Sequence, residues 1–152
     1  MLQLKRVSKM KRIIYLLGVM LIVSGCNIAA GSYPYTEIYE INSKESDLAE
    51  KIKVFKEQNS VFEVPKQVGL IDGRSDDEDD LWYHVYFYLS DSDEIINTWI
   101  RSSGENTTFF GLVSVNEGLE LGNWKTINDD LSDEEDRLIK DKFEKLILNK
   151  LK

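Results

Sequence analysis

The sequence predicts an α+β domain in which an antiparallel sheet of four to five strands carries two amphipathic helices on one face. Three observations lead there. Leu48, Ile52 and Phe55 recur at helical spacing soon after a short strand-like run. From Leu81 onward, runs rich in aromatic and β-branched residues alternate with short polar turns. The closing segment opens on a capping box and continues as a second apolar stripe of period 3.6.

The segment ahead of these elements is of another kind. Five basic residues, Lys5, Arg6, Lys9, Lys11 and Arg12, precede an apolar run that starts at Ile13, and no acidic residue occurs before Glu37. From Ile13 to Cys26 is 14 residues, short of the roughly 20 that a membrane-spanning helix requires. Basic flank, apolar stretch and small residues follow in the order of a secretory signal. The run closes in Val23-Ser24-Gly25-Cys26, which resembles the lipobox of bacterial lipoproteins: an aliphatic residue, two small ones and an obligatory cysteine. The resemblance implies a type II signal peptide over residues 1–25, cleavage after Gly25, a lipid thioether on Cys26 and acylation of the new amino group. Several acyl chains, at about 0.8 kcal/mol per buried methylene, would hold the product on a membrane. Met10 opens a tighter signal of the same design, so translation from Met1 and from Met10 are both open. Asn27 follows the cysteine. By analogy with enteric-type bacteria, where Asp at that place retains a lipoprotein at the inner membrane, Asn27 favours the periplasmic face of the outer membrane in an organism that has one.

Residues 26–34 read as a lipidated tether and residues 35–152 as a single domain. In residues 35–41, Tyr35, Tyr39 and Ile41 alternate with Thr36 and Ile38, as in a strand. Asn42 and Ser43 offer caps for a helix of three to four turns that ends near Gln58 and Asn59. Residues 61–64 form a short extended piece before Pro65. Residues 66–80 hold two glycines and the run Asp76-Asp77-Glu78-Asp79-Asp80, a charge density that no core accepts, and read as an exposed loop. Strands are expected over 81–89, 95–101, 107–116 and, more weakly, 119–127; their turns are too short for parallel crossovers, so a meander is the simplest arrangement. Ser132 and Glu135 cap the last helix, with Ile139, Phe143, Leu146 and Ile147 as its stripe and Leu138 and Leu151 at the margins.

The charge and the chemistry of single residues narrow the function. All 27 acidic residues lie beyond the leader with only 14 of the basic ones, a formal charge of −13 that repels nucleic acid and anionic lipid and draws cationic partners. The single cysteine is the one given to lipid, so the domain has no disulfide and no thiol nucleophile. His84 is the sole histidine and supplies no zinc set by itself. Neither the 76–80 run nor Asp91-Ser92-Asp93-Glu94 matches a calcium-loop spacing, and no metal or cofactor is expected. No nucleophile-elbow, phosphate-loop or zinc-protease motif occurs. On β-period two, Tyr83, Val85, Phe87 and Leu89 form the core side of their strand, leaving a stripe of Trp82, His84, Tyr86 and Tyr88 to be covered or used. The expectation is a non-enzymatic binding lipoprotein of the envelope that engages a basic protein through Asp76, Asp77, Glu78, Asp79, Asp80 and that stripe, an immunity or inhibitor protein against a basic toxin or hydrolase being one form of it. A structural or assembly accessory of the envelope is the alternative, and a small cell-wall hydrolase using His84 or paired carboxylates comes third.

Overall fold

The computed structural model describes residues 33–76 and 80–152; Cys26, the leader and most of the tether lie outside them. Tyr35–Lys152 is a compact unit with its own core. Five antiparallel strands form one sheet: β1 (Glu37–Ile41), β2 (Tyr83–Leu89), β3 (Glu94–Gly104), β4 (Thr107–Glu117) and β5 (Trp124–Thr126). β2, β3 and β4 are the expected meander, and β4 takes both β1 and β5 along its other side. A register shift makes this sharing possible. Asn97 pairs with Ser114 and Thr98 with Leu112, so Val113 is an extra residue on β4. Along β4, β1 pairs up to Leu112 and β5 pairs from Ser114 to Asn116. The fourth run contributes only three residues to the sheet, because Gly118 and Gly122 take positive φ and the Asn116 side chain gathers the turn between them through the carbonyls of Gly118 and Glu120 and the amide of Asn123.

Two helices cover one face of the sheet. Helix α1 (Glu45–Gln58) buries Leu48 and Ile52; helix α2 (Asp133–Phe143) continues through a π-helical turn, Glu144–Leu148, into a last turn, Asn149–Leu151. They share one core with Val85, Phe87, Leu89, Ile96, Ile100, Phe110 and Leu112. Phe143 sits at its centre, with ring centroids 5.4 Å from Phe110 and 6.4 Å from Phe87. The alternation read from β1 and β2 holds: Ile41, Val85, Phe87 and Leu89 are buried, while Ile38 on the other side is 44% exposed. Among the described residues, no helix is long and apolar enough to cross a membrane.

Three local expectations are corrected. Neither Asn42 nor Ser43 caps α1; Lys44 holds the N-cap position and no side chain caps it, while the Ser43 hydroxyl donates to the Lys44 carbonyl and the Ser43 carbonyl accepts from Thr108 Oγ1 on β4. The piece at 61–64 is extended only in part: Glu63 is extended, but Ser60–Phe62 is a 3₁₀ turn, which brings Phe62 onto Phe55 at 5.1 Å between centroids. The apolar stripe of α2 also runs differently beyond Phe143. Ile147 is buried as expected and Leu138, ahead of the turn, is 51% exposed at the margin, but the π turn inserts one residue into the helical count, so Leu148 and Leu151 are buried while Leu146 moves to the margin. The capping box is as expected, with Ser132 Oγ accepting from the Glu135 amide and the Glu135 carboxylate accepting from the Ser132 amide.

Candidate functional site

The strand register places the Trp82, His84, Tyr86 and Tyr88 stripe on the sheet face opposite the helices. His84 pairs with Trp99, Tyr86 with Asn97 and Tyr88 with Ile95, and those residues of β3 carry the face onward. All four residues of the stripe are half-buried. Trp82 and Trp99 meet edge to face at 6.4 Å, and the Arg101 guanidinium lies 5.8 Å from the Trp82 ring. Trp99 can lie flat on the sheet because Gly111 is its neighbour on β4: a Cβ there would stand 2.5 Å from the indole. The Tyr88 hydroxyl donates to Asp93 at 2.8 Å, a bond to a carboxylate that raises its pKa.

The segment read as a free loop over 66–80 is in part tied to the sheet. Gly73 and His84 exchange both backbone hydrogen bonds, at 3.0 and 2.8 Å, along the outer edge of β2. The Asp72 carboxylate accepts the Tyr86 amide at 2.9 Å, and Lys56 donates to the Tyr86 carbonyl at 2.5 Å. Lys56 also bonds Asp72 at 2.5 Å and lies 4.7 Å from the Phe87 ring centroid. Burial lowers the Lys56 pKa, with the Asp72 charge opposing it. This strap occupies the backbone groups of His84 and Tyr86 on an edge strand that would otherwise offer them to another chain. Lys56 and Asp72 are absent from the sequence reading, although a signal exists: Lys56 falls four residues after Ile52, in line with the apolar stripe of α1.

Of the acidic run, Asp76 is exposed and Asp77, Glu78 and Asp79 lie outside the described residues. Asp80 joins the run to the stripe. Its carboxylate accepts from Ser75 Oγ at 2.6 Å and from the Trp82 amide at 3.0 Å, and it stands 3.2 Å from His84 Nε2. The Ser75 hydroxyl first, then the Trp82 amide and His84, hold its pKa down to about 2. The carboxylate therefore stands between serine and histidine. A hydrolytic triad needs the histidine in the middle, where it takes the hydroxyl proton; here the serine proton is already engaged by Asp80. Among the described residues no group of three or more His, Cys, Asp or Glu side chains is placed to hold a metal ion.

Val23, Ser24, Gly25 and Cys26 lie outside the described residues, and comparison with known proteins speaks to them instead. A family model described as the prokaryotic membrane lipoprotein lipid attachment site matches residues 10–27. No curated protein and no solved structure matches the chain. With a single cysteine inside that match, the chain is the precursor of a prokaryotic membrane lipoprotein, anchored in the cell envelope by lipid on Cys26.

Proposed function

We propose that the anchored domain is a non-enzymatic protein-binding module that engages a basic protein, in the manner of an immunity or inhibitor lipoprotein acting on a cationic toxin or hydrolase. The observation that carries this reading is the junction at Asp80, the last residue of the acidic run, whose carboxylate meets the Trp82 amide and His84 at the head of the aromatic stripe. Such a surface suits a cationic partner twice over. The formal charge of −13 speeds encounter, and large aromatic groups with few rotors hold the complex once water is expelled. The order Ser75, Asp80, His84 sets the carboxylate, not the histidine, against the serine hydroxyl, which fits a fixed binding surface. Asn27 after the lipidated cysteine favours the periplasmic face of the outer membrane as the place of work.

The test is capture from envelope extracts with the lipidated chain at low salt, followed by a salt series. A partner of basic isoelectric point, released as ionic strength rises and lost on Tyr86→Ala or on Asp76→Asn with Asp80→Asn, is the expected result. Finding no basic partner at low salt, across extracts, would overturn the proposal.

A further inference from the structure

We infer that a slot at the β2–β3 turn receives one aliphatic side chain of the cationic partner; this rests on the protein-binding reading above and adds a second contact remote from Asp80. The slot is a cavity of about 190 Å³ between the 3₁₀ turn Ser60–Phe62, the turn after β2 and the π turn that follows α2. Its walls are Val61, Phe62, Leu89 and Leu146. A cavity of about 150 Å³ lined by such side chains is enough to hold a benzene ring, so this one fits a single large apolar side chain.

Two features shape it. Val61 is 59% exposed where an apolar residue on a tight turn gains nothing from water. Leu146 would sit in the core stripe beside Ile147 in an uninterrupted helix; the π turn gives that place to Leu148 and turns Leu146 to the slot wall. The rim is built beforehand, because Lys142 donates to Ser92 Oγ at 2.9 Å and to Glu94 at 2.7 Å, tying the turn to the helix. A preformed slot costs little ordering when filled. With Lys142 neutralised by Glu94, exposed Asp91 is the charge left on the rim. The occupant follows from charge: a second copy of the domain and an anionic bilayer are both repelled by −13, whereas an apolar side chain flanked by lysine or arginine is drawn in.

Two probes test it, a lysine-flanked peptide with one central leucine and its alanine counterpart, titrated at low salt into the lipidated chain in detergent micelles with methyl groups isotope-labelled. The leucine peptide is expected to shift the methyl signals of Val61, Leu89 and Leu146 and to bind at least tenfold more tightly than the alanine peptide. Val61→Lys and Leu146→Gln should each abolish that difference, and Leu138→Ala should leave it intact. Equal binding of the two peptides, or shifts confined to other methyls, overturns the slot while leaving an acidic protein-binding surface in place. No binding of either peptide overturns both readings. Slot signals that follow detergent or protein concentration, with the peptide unable to displace them, overturn the proposal in favour of an acyl chain or a second copy.

Discussion

At the scale of single residues, a few charges decide how the molecule is held together. Lys56 is a nearly buried ammonium whose partner, Asp72, is 29% exposed at the side chain. Removing the partner of a buried charge costs more than the pair itself contributes, because the survivor stays desolvated. Asp72→Ala should therefore destabilise by about 2–3 kcal/mol in urea unfolding, since it strands both the Lys56 ammonium and the Tyr86 amide. Lys56→Met should cost only about 1 kcal/mol, because Asp72 keeps the Tyr86 amide and part of its hydration. The double variant should fall short of the sum, which is the signature of a coupled pair; strict additivity would show the two residues to be independent. Asp80 contributes on the acid side. Its pKa falls to about 2 in the folded chain, so its contribution is fully present above the ordinary carboxylate value of 3.8 and is lost as pH drops through that interval. Unfolding curves between pH 5 and about 2 should show this loss in the native chain and a flatter profile in Asp80→Asn. Equal slopes would mean that Ser75, Trp82 and His84 do not hold the carboxylate.

At the scale of elements, what the sequence discloses is what depends on periodicity. Strand β2 shows its two faces by alternation alone, and the Ser132–Glu135 box marks the start of α2 because both partners are four residues of contiguous sequence. Tertiary contact sets the rest. Val113 is extra on β4 where the pairing of β1 ends and that of β5 takes over, and no local pattern signals that. The π turn leaves the sequence periodic and merely moves the stripe, so Leu146 reads as core and Leu148 does not. The two placements separate in a direct comparison. Leu148→Ala should cost about 2–5 kcal/mol as a core truncation, and Leu146→Ala, at the half-buried margin, only about 1 kcal/mol. A reversed order in thermal or urea melts would restore the uninterrupted helix. On the opposite face, Gly111→Ala should cost about 1–3 kcal/mol, since the new Cβ collides with the Trp99 ring and with Thr36 Cγ2 at 2.7 Å.

At the scale of the whole molecule, the chain divides its tasks between a leader that fixes place and a domain that carries the fold. The leader was legible because its chemistry is linear: basic flank, apolar run and a cysteine at the end need no folding to be recognised. The candidate site was legible only in parts, as a stripe and an acidic run, since the contact of Asp80 with Ser75, Trp82 and His84 depends on the strap that pairs along the edge of β2. Eleven residue steps lead from Cys26 to Glu37, so even a fully extended tether holds the start of β1 within about 40 Å of the lipid. The anchor and the fold should then be separable. Cys26→Ser removes the only thiol, and with it lipidation and processing, while Tyr35–Lys152 retains its own core. Mass spectrometry of the native product should find residues 1–25 absent and acyl chains on Cys26; the variant should carry neither change and melt within about 2 °C of the native domain, a shift worth under 1 kcal/mol for a domain of this size. An intact leader or an unmodified sulfur in the native product would remove the anchor, and with it the argument that the acidic surface meets its partner at a membrane.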